Sequence, residues 1–292
     1  MASGFFALLD DIATLMDDVA VMSKVAAKKT AGILGDDLAV NAEKASGFMS
    51  SREIPVLWAI SKGSFLNKLI ILPLAFILSA FWPMGVTIAL IIGGIYLAYE
   101  GAEKIYEFFV PHQSSKKEVI NTSLTEADLL ALEKERVKSA IVTDFILSVE
   151  IIIIALGTVV GQPIVKQILV VTLIAIIATI GVYGIVALIV RMDEVGYHLI
   201  KKNPDKKGIT TTIGKILVAA LPKVIKSLGI IGTIALLLVS GGIFVHKIDF
   251  FHHFLHGIPS MLRDFLVGLM VGVASLIVFK LLHKFWTAIK HR

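Results

Sequence analysis

The chain has 292 residues, 56% hydrophobic and only 17% charged, with a mean hydropathy of +0.85. Soluble domains carry roughly a quarter charged residues, so this balance excludes an ordinary water-soluble globule and indicates a polytopic helical membrane protein. Lys and Arg exceed Asp and Glu by 28 to 23, a surplus that in such a chain flanks spans rather than binding nucleic acid. The absence of cysteine excludes disulfides, thiolate metal sites and thiol nucleophiles.

The apolar runs are continuous, which excludes the alternating pattern of a membrane barrel. At roughly 20 residues per crossing, the chain divides into about seven spans: 5–25, 65–82, 85–109, 137–160, 164–190, 216–245 and 261–282. The first is atypical, because Asp10, Asp11, Asp17 and Asp18 interrupt it and no Lys or Arg precedes Lys24; it does not read as a secretory signal. Segment 24–62 is moderately apolar, with Gly32 and Gly35 as breakers, and is expected as helical pieces at or dipping into the cytoplasmic interface. Residues 111–136 read as a cytoplasmic linker leading into a soluble helix, which Thr125 would cap with Asp128 three positions on. The 216–245 span is longer than a crossing needs and holds Pro222, so a kink or tilt is expected. An external loop and a final span make up 246–292.

The basic clusters fall in alternate loops. Lys28, Lys29, Lys44, Arg52 and Lys62 lie in one, Lys116, Lys117, Lys134 and Arg136 in a second, and Lys201, Lys202, Lys206, Lys207 and Lys215 in a third. The turns at 82–85 and 161–163 carry no charge. Placing the basic loops inside predicts an outside N-terminus and a cytoplasmic C-terminus.

Two acidic motifs then lie on helices of opposite direction. Asp11 precedes Asp17 by six residues, and Asp144 precedes Glu150 by six. The spacing fits two three-helix halves, 1–110 and 137–245, as an inverted repeat with the last span added, an arrangement that places binding sites near the midplane. Acids at membrane depth mark functional sites. On an ideal helix Asp10, Asp11, Thr14, Asp17 and Asp18 share an arc of roughly 120°. Segment 5–25 therefore either spans with a wet acidic face or lies at the interface with its acids in water. In the second motif Ser148 sits one turn from Asp144, while Glu150 projects elsewhere unless the helix unwinds. Either acid has lysines to pair with, among them Lys62, Lys68, Lys223 and Lys226, unless these snorkel to the interface.

Carboxylates without His or Cys suit hard or intermediate cations such as Mn²⁺, Mg²⁺ or Ca²⁺. The expected site is Asp11, Asp17, Asp144 and Glu150, assisted by Asp10, Thr14, Asp18 and Ser148. His252 and His256, at i and i+4 in the external loop, form a second metal candidate, set against an aromatic belt of Phe250, Phe251 and Phe254. Gly268 and Gly272 form a small-xxx-small pair that packs within the bundle or against a second copy. No phosphate loop and no HExxH motif is present.

Several motifs carry a resemblance over nearly the whole chain. Leu8-Leu9-Asp10-Asp11-Ile12-Ala13-Thr14-Leu15, Ala26-Ala27-Lys28-Lys29-Thr30-Ala31-Gly32, Leu34-Gly35-Asp36-Asp37-Leu38, Lys62-Gly63-Ser64-Phe65 and Thr143-Asp144-Phe145-Ile146-Leu147-Ser148 resemble the YedI-like bacterial inner-membrane family. That family has no established function; the likeness implies only the inner membrane. Asp144 and Ser148 also resemble the Asp-x-x-x-Ser-x-Asp-Asn signature of TerC-like proteins, with Glu150 and Ile151 in place of the second Asp and the Asn. Asp11 and Asp17 match the same signature, with Leu15 for Ser and Asp18 for Asn, and 88–99 is similar to that family's third helix. This second likeness implies metal export. The expectation is therefore a non-enzymatic transporter of a divalent, Mn-like cation, with the bilayer and an inorganic cation as partners and no resident cofactor. The alternatives are a membrane scaffold and, more remotely, an intramembrane aspartyl protease built on Asp11 and Asp144.

Overall fold

A computed structural model describes residues 2–45, 50–110, 126–201, 208–248, 250–251 and 257–290. Thr125, Asp249, His252 and His256 lie outside the described residues, and with them the expected helix cap and the histidine pair. The described chain is helical: α1 (Ala2–Ala31), α2 (Leu34–Ala45), α3 (Ser50–Phe81), α4 (Pro83–Phe109), α5 (Glu126–Val159), α6 (Ile164–Lys201), α7 (Ile209–Lys247) and α8 (Ser260–Lys290).

Six of these, α3 to α8, are long and apolar enough to cross a membrane, rather than the seven spans expected. Residues 5–25 are helical but are not among the six, because four aspartates break the apolar run. The exterior fits the remaining six. Along α3, Phe65, Leu66, Leu69, Ile70, Leu74 and Ile77 face outward, and along α6 Ile176, Ile177 and Ile180 do the same. So much contiguous exposed aliphatic surface belongs against lipid.

Two short turns mark one end of the bundle. Trp82 joins α3 to α4, with Pro83 opening the helix where its missing N–H costs nothing. Residues 160–163 join α5 to α6. Ser79 and Gln167, one beside each turn, are hydrogen-bonded at 2.5 Å, so both turns lie at the same end. At the opposite, loop end, Arg52 grips Glu133 with two parallel bonds of 2.9 and 2.8 Å and ties α3 to α5.

The path of α1 and α2 departs from the expected one. Lys166, in the first turn of α6, donates to Asp18 at 2.5 Å, which places the middle of α1 at the turn end. Lys44, near the end of α2, reaches Ser139 and Thr143 in the loop-end half of α5. Between them the chain passes through the bundle by a broken helix. Thr30 bonds back to the Ala26 carbonyl at 3.0 Å, Gly32 and Ile33 form a turn, and the Ile33 carbonyl collects the N–H groups of Asp36 and Asp37 to start α2. This short helix buries Gly35, Asp36, Asp37, Ala39, Asn41, Ala42 and Ala45, so it is an interior element rather than an interfacial one.

Glycines make the close approaches. A Cβ on Gly232 of α7 would stand 2.6 Å from the Asp36 nitrogen, so only glycine admits the start of α2 there. Gly268 and Gly272 let α8 meet the Leu237 carbonyl of α7 and the Ala98 carbonyl of α4. The small-residue pair is thus used inside the bundle.

Two apolar clusters fill the interior. The turn-end cluster includes Ile33, Leu97, Ile152, Leu156, Val170 and Leu236. The loop-end cluster includes Ala42, Val56, Ile60, Ala140, Val186 and Val190. On each of α2, α3 and α5, polar residues stand between the two, and Tyr183 of α6 adds its hydroxyl from the loop-end cluster.

Candidate functional site

That polar layer contains Asp36, Asp37 and Asn41 from α2, Ser64, Asn67 and Lys68 from α3, Asp144, Ser148 and Glu150 from α5, and Tyr183 from α6. Ser64, Asp144 and Tyr183 all fall close to the middle of their helices. The local reason is simple: each helix switches its inward-facing residues from aliphatic to polar for one or two turns, then back. Buried polar groups of this kind are stable only when they satisfy one another.

Asp144 is satisfied fully. Its Oδ1 accepts from Ser64 and Tyr183, both at 2.8 Å, and its Oδ2 accepts from Asn67 at 3.0 Å and Ser148 at 3.3 Å. Lys68 Nζ lies 3.9 Å from Asp144 Oδ1 and donates to Ser64 and Ser148, both at 2.8 Å. The two hydroxyls thus take a proton donor from the lysine and pass their own to the carboxylate. Tyr183 also stands 3.4 Å from Asn41, whose amide donates to the Asp37 carbonyl at 2.8 Å. This links α2 to the Asp144 network.

A second group is left incomplete. Asp36, 1% exposed, accepts from Lys104 at 2.6 Å through Oδ1, while its Oδ2 has no donor among the described residues. Lys104 also pairs with Glu100 one turn earlier at 3.1 Å, leaving Glu100 Oε2 without a donor. Asp37 Oδ1 and both oxygens of Glu150 are buried and equally without one among the described residues. α5, which carries Glu150, packs against both α2 and α4, the helices that carry Asp36, Asp37 and Glu100. Because α5 stays helical through 126–159, Glu150 points away from Asp144.

The expected site residues divide accordingly. Asp144, Ser148 and Glu150 lie in the polar layer. Asp10, Asp11, Thr14 and Asp17 are exposed on α1, and Asp18 is half-buried in its pair with Lys166. Asp11 and Asp17 therefore do not join Asp144 and Glu150. Nor is there an aspartyl dyad of Asp11 and Asp144, since Asp144 is engaged by other partners while Asp11 is exposed. Among the described residues, no three His, Cys, Asp or Glu side chains converge to hold a metal ion. Asp36, Asp37, Glu100 and Lys104 escaped sequence reasoning. One signal was present: Glu100 and Lys104 sit at i, i+4 inside an apolar span, the spacing of a helical ion pair.

The architecture defines a class: an all-helical, multi-pass membrane protein with ionisable groups layered across its interior. Within that class, the chain belongs to the family described as "Protein of unknown function (DUF808)", whose profile matches residues 3–289. No curated protein and no solved structure is similar enough to match it.

Proposed function

We propose that the protein is a transporter of a small cation, protons included, with the carboxylates of the polar layer as its carriers. One observation carries this. Five interior carboxylates, Asp36, Asp37, Glu100, Asp144 and Glu150, face two lysines, Lys68 and Lys104, and four of the five present buried oxygens with no donor among the described residues. A buried carboxylate without a partner is costly, and a proton or cation removes that cost. A layer built this way favours states that hold extra positive charge, and intramembrane acids of this kind mark ion and proton pathways.

The start of α2 is the natural place for uptake. A half-helix ending near mid-bundle is a recurrent device in transporters. Here Asp36 and Asp37 occupy that end. Alternating exposure would come from the 1–110 half moving against the 137–245 half, as two related halves allow. The oxygen donors suit hard cations, and the Asp144–Ser148 likeness to TerC-like exporters keeps Mn²⁺ among the candidates. The lack of a three-ligand cluster among the described residues puts protons and monovalent cations first. The cytoplasmic C-terminus and the bacterial inner membrane remain parts of the same reading.

A scaffold is the second reading, and the Asp144 network favours it locally: four donors and a nearby lysine satisfy that carboxylate without any cargo. Flux measurements separate the two. Purified protein in liposomes enclosing a pH-sensitive dye should move protons or cations under Na⁺, K⁺ or Mn²⁺ gradients, and Glu150→Gln should stop the movement. Silence with every cation removes transport. Flux that survives both Glu150→Gln and Asp37→Asn moves it away from this site.

A further inference from the structure

A cavity of about 390 Å³ opens at the turn end of the bundle and reaches down to Gly32 at the break between α1 and α2. Lys28, Lys29, His246 and Lys247 line it together with the aliphatic residues Leu90, Ile154, Leu238 and Val239. Its size falls in the range of about 300–1,000 Å³ typical of small-molecule sites. Such a cavity does not suit the cation proposed above, because its charge has the wrong sign.

The three lysines form no ion pair among the described residues. His246 Nδ1 is spent on the Gly242 carbonyl at 2.7 Å. The one acid in the lining, Asp264, lies beside Arg263 at 3.7 Å, so it does not neutralise the lysines. Exposed lysines and an aliphatic lining in one cavity, toward one end of a membrane bundle, present two complementary surfaces to one kind of molecule. They match an anionic head joined to an acyl chain.

We infer that this cavity binds an anionic phospholipid of the surrounding bilayer, with the phosphate between Lys28, Lys29 and Lys247 and one acyl chain along the aliphatic lining. Basic pockets between membrane helices recognise lipid headgroups by this chemistry. The lipid would lie against Gly32, the break that sets where α2 begins. Lipid occupancy therefore bears directly on the element that carries Asp36 and Asp37, although binding itself does not depend on the transport proposal.

The test is titration of the delipidated, detergent-purified protein with dioleoyl phosphatidylglycerol and dioleoyl phosphatidylcholine, read by native mass spectrometry. The anionic lipid should bind at least about tenfold more tightly, and the triple variant Lys28→Gln, Lys29→Gln, Lys247→Gln should remove that preference. Leu238→Trp, which fills the aliphatic part of the cavity and keeps the charges, should weaken phosphatidylglycerol binding to a similar extent. Glycerol 3-phosphate, a head without a chain, should not compete. Equal binding of the two lipids, a preference that survives the triple variant, binding indifferent to Leu238→Trp, or full competition by glycerol 3-phosphate would each overturn the proposal. The first outcome means non-specific annular lipid, the second and third a lipid site elsewhere on the protein, and the last a soluble anion site.

Discussion

Lys68 and Asp144 lie 3.9 Å apart at mid-bundle, and the hydroxyls of Ser64 and Ser148 each bridge them. The ion pair is thus mediated rather than direct, and it joins α3 to α5 where neither helix meets water. Removing one partner strands the other's charge. Lys68→Met should cost about 3–5 kcal/mol, the usual penalty for leaving a buried charge uncompensated. Adding Asp144→Asn, which removes the stranded charge and keeps an acceptor for the surrounding donors, should recover much of the loss. Thermal unfolding of both single variants and the double variant in detergent checks this; additive losses would mean the two charges act independently.

Glu150 should behave in the opposite way. Its oxygens meet no donor among the described residues, so Glu150→Gln breaks no bond and should leave stability within about 0.5 kcal/mol of the parent. Cation flux should fall at least tenfold in the same variant. A stability loss as large as that of Lys68→Met would show that Glu150 has a structural partner.

Gly232 and Gly229 make a matched pair on α7. A methyl at 232 would stand 2.6 Å from the Asp36 nitrogen, whereas one at 229 would just touch Ala39 at 4.0 Å. Gly232→Ala should therefore destabilise by about 1–3 kcal/mol through overpacking. Gly229→Ala should be neutral or slightly stabilising, because alanine is the better helix former. Melting temperatures of the two variants, measured side by side, give the comparison.

Asp18 and Lys166 fix the level of α1 against the turn end. Both are partly exposed, so breaking the pair should cost no more than about 1 kcal/mol. Position is the sharper test. The chain has no cysteine, so Asp18→Cys with Lys166→Cys gives a clean background for a short bis-maleimide. Efficient cross-linking is expected, whereas Asp18→Cys with Thr143→Cys should give none.

The membrane class, the apolar stretches of α3 to α8 and the presence of acids at membrane depth in α5 were legible in the sequence, because long apolar runs and rare acids within them are strong signals. Lys68 stood among four lysines that sequence alone could not rank. The α1 acids misled for a physical reason: density of charge in a helix marks a wet face as readily as a binding face, and here that face is exposed. Asp36 and Asp37 were hidden by the opposite effect. They follow the glycine breakers Gly32 and Gly35 in a segment that reads as helical pieces at the interface, where acids would face water. Their burial depends on Gly232, almost two hundred residues away.

The seam at Gly232 has a mechanical consequence. Where α2 starts against α7, backbone touches backbone with no side chains interleaved between them. Interlocked side chains act as teeth and resist sliding; a bare seam acts as a rail. Pulling α2 away from α7 would forfeit close contact, while a small shift along the axis keeps it. The stiff direction is sideways and the soft direction runs across the bilayer, along the line that a charge would travel in the transport proposed above.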